Sequence, residues 1–66
     1  MKAGMIVIQT RQVNNIWILL CGTQDSGEWA TYVSPLPDTS YTEHGHYFPN
    51  YSTAVADFNK RVNQHR

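Results

Sequence analysis

The last third of the chain constrains its fold more than any other stretch. Thr42-Glu43-His44-Gly45-His46-Tyr47-Phe48 is extended and aromatic, and Pro49-Asn50 stops it. Tyr51, Val55, Phe58 and Val62 then recur at spacings of four, three and four. With Ala54 they form one apolar stripe of an amphipathic helix. Ser52 is the first choice of N-cap, because its hydroxyl can accept from a free N–H of the first turn, and Asn50 is the alternative. Asp57, Lys60, Arg61 and Gln64 fall mostly on the other faces. A helix with one apolar stripe must bury it, and everything upstream reads as strands and turns, so a sheet is its only available partner.

Met5 to Val13 reads as the first strand. Asn14-Asn15 supplies a two-residue turn, since Asn tolerates positive φ. Ile16 to Gly22 is the second strand, Thr23 to Glu28 a polar turn, and Trp29 to Val33 the third strand. Pro35 and Pro37 end it by removing ladder donors. Tyr41 to Phe48 is the fourth strand, weakened at Gly45. The expected fold is α+β, a three- or four-stranded antiparallel meander with one C-terminal helix across one face, as a single domain over residues 1–66.

The second strand is apolar on both faces. Ile16, Ile18 and Leu20 share one face; Trp17, Leu19 and Cys21 share the other. A helix of about 13 residues is roughly 20 Å long and covers one face of a small sheet. The opposite face is therefore expected to expose Trp17 and Leu19, joined by Trp29 or Tyr32 from the third strand. Such a patch marks an association surface, and these four are the candidate partner-binding residues. The competing arrangement folds Leu36 and Tyr41 over that face.

The chain has 66 residues and zero formal net charge, with 15% charged residues. That argues against a nucleic-acid module, whose affinity rests on Lys and Arg neutralising phosphates. Lys60, Arg61 and Arg66 instead suit the negative end of a helix dipole. The aromatics Trp17, Trp29, Tyr32, Tyr41, Tyr47 and Tyr51 form the material of a single-strand stacking platform, but lack the basic groove that accompanies one. Cys21 is the only cysteine. It allows no internal disulfide, which favours a reducing compartment. Met5 to Ile8 is too short for a signal-peptide core, and Ile16 to Cys21 is too short to span a membrane. A cytoplasmic protein is expected.

His44 and His46 are two apart, so a regular strand would project both imidazoles from one face toward a shared metal. No third ligand follows at a recognisable spacing, so neither a metal nor a cofactor is assigned. No catalytic residue is assigned either. Cys21 lies in an apolar strand without nearby positive charge, and the five carboxylates are scattered.

Trp29-Ala30-Thr31-Tyr32-Val33-Ser34-Pro35-Leu36-Pro37-Asp38 resembles the corresponding segment of HicB-type antitoxins. There an aromatic-led strand enters a Pro-x-Leu-Pro-Gly turn. Leu36 and Pro37 match, and Ser52 to Ala56 is similar to the family's helix opening. Ser34 and Asp38 depart from its proline and glycine, and the stretch from Thr39 to Asn50 is longer. The resemblance covers about half the chain. It implies a sheet-plus-helix module that binds and masks a small toxin and often self-associates. The expected function is thus non-catalytic protein–protein interaction, as a homodimer or with a small protein partner. Single-stranded nucleic-acid binding, or metal binding through His44 and His46, is the alternative.

Overall fold

In the computed structural model, residues 5–23, 27–38 and 42–66 are described. Four strands, β1 (Met5–Val13), β2 (Ile16–Thr23), β3 (Trp29–Ser34) and β4 (Glu43–Phe48), precede one helix, α1 (Tyr51–Gln64). The strands pair in sequence order, each antiparallel to the next. The α+β meander read from the sequence is the fold observed.

Local chemistry explains the joints. Asn14 takes φ +56° at the β1–β2 turn, a conformation Asn adopts more readily than most residues. Its side-chain amide donates to the carbonyl of His65 at 2.5 Å, tying the first hairpin to the end of the helix. Thr23 and Glu28 close the next turn, with Thr23 N donating to Glu28 O at 2.9 Å and Glu28 N donating to Thr23 Oγ1 at 3.1 Å. Ser34 Oγ accepts from Leu36 N at 3.1 Å, bending the chain where Pro35 ends the ladder.

Asn50, not Ser52, caps α1. Its Oδ1 accepts from Thr53 N at 3.0 Å, from Thr53 Oγ1 at 2.8 Å and from Ser52 Oγ at 3.0 Å. The helix begins two residues earlier than a Ser52 cap allows, because Asn50 is extended at φ −145° and already sits at the boundary. Ser52 spends its hydroxyl as a donor to the cap.

The helix packs on β2, β3 and β4. Ala54, Phe58 and Val62 meet Val13, Ile18 and Leu20, with Ile16, Trp29, Val33, Phe48 and Val55 packed around them. On the opposite face Met5, Leu19, Cys21, Ala30 and Tyr32 form a second buried cluster, flanked by Val7 and Trp17. Arg61 is buried too, although the helical spacing had set it with the solvent-facing residues.

Candidate functional site

The register fixes where the four candidate partner-binding residues lie. Leu19 pairs with Tyr32 and Trp17 with Ser34, whereas Trp29 pairs with Gly22 and Phe48. Trp17, Leu19 and Tyr32 therefore share the face away from the helix, and Trp29 lies on the helix face. The expected exposure of that far face is corrected for its centre. Leu19 is 0% and Tyr32 2% exposed, and Trp17 is half-buried. Tyr47 packs edge to face on Tyr32, with ring centroids 5.9 Å apart and the two hydroxyls at 3.1 Å. Gly45 permits this closure. A Cβ there would stand 2.8 Å from the Tyr32 ring and 3.0 Å from the Tyr47 hydroxyl. Leu36 stays exposed and does not cover this face, and Tyr41 lies outside the described residues.

An uncovered apolar row does exist, on the helix face. Gly22 is its floor. A Cβ at Gly22 would meet the Trp29 ring at 2.8 Å and Ile8 Cδ1 at 3.0 Å, so both side chains lie over the glycine. Ile6 pairs directly with Gly22 and shares its face. Tyr51, the first residue of α1, packs edge to face on Trp29 at 5.0 Å. Ile6, Ile8 and Tyr51 are 47%, 45% and 48% exposed, and Trp29 is half-buried. The row carries no charged side chain. It runs from the edge strand β1 to the N-terminal turn of the helix, and β1 has no strand on its outer side among the described residues.

The second feature is polar. A β-bulge between Thr31 and Val33 sets two residues of β4 opposite Tyr32, and His44 takes φ +52° there. The first residue of one bulge type adopts this left-handed conformation, a position Gly usually holds. The bulge breaks the alternation that a shared His44 and His46 face assumed. Both histidines nevertheless line one cleft, together with Ile16, Val33, Arg61, Gln64 and His65. The cleft measures about 440 Å³. Among the described residues no three His, Cys, Asp or Glu side chains are grouped to hold a metal ion.

Asp57 organises the wall behind the cleft. Its Oδ2 accepts from Thr31 Oγ1 at 2.5 Å and lies 3.0 Å from His46 Nδ1 and 3.2 Å from Arg61 Nε. Arg61 Nε also lies 3.2 Å from His46 Nδ1. The two contacts at Nδ1 compete, since that nitrogen either donates or accepts. A carboxylate at 3.0 Å calls for a proton on Nδ1, so His46 donates to Asp57, and Arg61 meets the same oxygen as an ion pair. Arg61 Nη2 donates to the carbonyl of His44, which binds the bulge to the helix. Burial pushes the Asp57 carboxyl up. The hydrogen bonds from Thr31 and His46 and the adjacent imidazole and guanidinium outweigh that and hold it below its ordinary value of 3.8. Burial pulls Arg61 down, opposed by Asp57, yet a guanidinium stays charged across the physiological range.

Sequence reasoning missed Thr31, Asp57 and Arg61. The signal was the spacing itself. Asp57 and Arg61 are an i,i+4 pair interleaved with Ala54, Phe58 and Val62, which places them along the edge of the buried stripe.

Cys21 is fully buried, and burial pushes its thiol up to about 11, which removes it as a nucleophile. The aromatics divide between the faces, with Trp29 and Tyr51 on one and Trp17, Tyr32 and Tyr47 on the other. Among the described residues no helix is long and apolar enough to cross a membrane. Comparison with known protein families, curated proteins and solved structures finds no match to this chain.

Proposed function

We propose that the chain is a non-catalytic interaction module that associates with a second copy of itself through the row Ile6, Ile8, Trp29 and Tyr51. The observation that carries the reading is this row, a charge-free aromatic and aliphatic strip bordered by β1, which has no strand on its outer side among the described residues. Interface cores are enriched in Trp and Tyr and depleted in charge. A two-fold contact sets the same patch against itself, so a patch without charges meets no like-charge penalty. A domain of this size has a thin stability margin, which oligomerisation widens. Trp29 keeps the partner-binding role read from the sequence. Trp17 borders the closed face, and Leu19 and Tyr32 serve as core beneath it.

The resemblance to HicB-type antitoxins supports the same class of function, since such modules bind a protein partner and often self-associate. The lone buried thiol suits a reducing compartment, and we assign the role to the cytoplasm on that ground.

The test is sedimentation of the wild type and of Ile8→Lys. Ile8 is nearly half exposed, so the substitution leaves the fold intact while placing two like charges at the contact. The wild type is expected to sediment at twice the 7.6 kDa chain mass, and the variant at the chain mass. Identical behaviour of the two proteins contradicts the assignment.

A further inference from the structure

The geometry points to the cleft between β4 and the end of α1 as a binding site for a small carboxylic acid with a short apolar body. The argument is independent of the row on β1. Among the described residues every chargeable side chain lining the cleft is basic: Arg61, His44, His46 and His65. Gln64 adds an amide, while Ile16 and Val33 provide apolar wall. Among the described carboxylate side chains Asp57 is the one beside the cleft, and it stands behind the wall with Thr31, His46 and Arg61 converging on a single oxygen. It orients His46 and Arg61 rather than competing for the ligand.

Arg61 is the anchor. It is 4% exposed and held on two sides, through Nε to Asp57 and through Nη2 to the His44 carbonyl. Its Nη1 has no partner among the described residues, yet they contain no buried side-chain nitrogen without one, so Nη1 reaches solvent. The remaining N–H groups on Nη1 and Nη2 form the end-on fork that matches the two oxygens of a carboxylate. Because the guanidinium is already fixed, binding immobilises little that is not ordered beforehand. A cleft of this size, part apolar and with a few convergent polar groups, has the character of a small-molecule site.

The test follows the histidine Hε1 resonances of the full chain by NMR during titration with n-butyrate. Parallel titrations use n-butylammonium and n-butanol, which keep the apolar body and change the head group. Saturable shifts with butyrate alone are expected, with half-saturation on the order of 1–10 mM for so small a ligand. N-acetylvaline and its amide distinguish the source of the carboxylate. Tighter binding of N-acetylvaline than of butyrate assigns the site to a peptide C-terminus, and the reverse order to a free short-chain acid. Gln64→Glu, at an exposed rim position, should weaken butyrate five- to tenfold, about what one added negative charge at close range supplies. Shifts that never saturate below about 50 mM, equal shifts with butylammonium, or undiminished binding by a folded Gln64→Glu overturn the proposal.

Discussion

Phe58→Ala tests the packing on which the fold rests. Phe58 is 2% exposed and sits among Val13, Ile18, Leu20, Ala54 and Val62, where the helix meets the centre of the sheet. Two contributions set the cost. Removing the ring from a buried site forfeits about 2 kcal/mol of transfer free energy. The space left, on the order of 90 Å³, adds about 2 kcal/mol at ~24 cal/mol per Å³ where strands on one side and a capped helix on the other resist collapse. The sum of about 4 kcal/mol compares with roughly 3–10 kcal/mol for the whole of a domain this size. Urea unfolding followed by tryptophan fluorescence reads it directly, since Trp29 packs against the same cluster. With a slope near 1 kcal/mol per molar, the midpoint should fall by several molar, or the variant should be unfolded in water. Phe58→Leu covers the second case, because a smaller loss of about 1–1.5 kcal/mol stays measurable. A change below about 0.5 kcal/mol for Phe58→Ala would refute the claim that α1 is held through this stripe.

Two further predictions concern Cys21 and Asp57. Cys21 should not react with a thiol reagent in the native protein and should react stoichiometrically once urea unfolds it; fast native labelling would mean that the far face opens. Asp57 has a folded pKa below its unfolded one, so its ion contributes stability that is fully present above about 3.8 and is lost as pH falls through the lower folded value. Asp57→Asn should therefore flatten the acid limb of a stability–pH curve relative to wild type, and an unchanged limb would show that Thr31, His46 and Arg61 do not hold the carboxylate as described.

Much of the fold was legible because its local signals agree. The β-branched start of β1 and Asn14-Asn15 give the first hairpin; β1 has the bounds read from the sequence, and β2 runs one residue longer, to Thr23. The alternation in β2, with Ile18 and Leu20 on one side and Leu19 and Cys21 on the other, made both faces apolar, and each holds a buried cluster. The covering of the second face was not legible. It depends on the Leu19–Tyr32 register and on Gly45 letting Tyr47 close on Tyr32, both non-local. Trp29 and Tyr32 are three apart on one strand and so must face opposite ways. Sequence alone does not say which of them joins Trp17, and the pairing of Trp29 with Gly22 decides it. The cleft was half legible. His44 and His46 were singled out, but the bulge that turns His44 has no local signature beyond Gly45, and the arginine that anchors the bulge lies 17 positions away.

The most direct test of the association claim is isotope-filtered NMR on an equal mixture of labelled and unlabelled copies. The account predicts intermolecular contacts from the Ile6 and Ile8 methyl groups to the Trp29 and Tyr51 rings of the other copy. A monomer, or a dimer whose intermolecular contacts arise from Trp17 or Tyr47 on the far face instead, contradicts it.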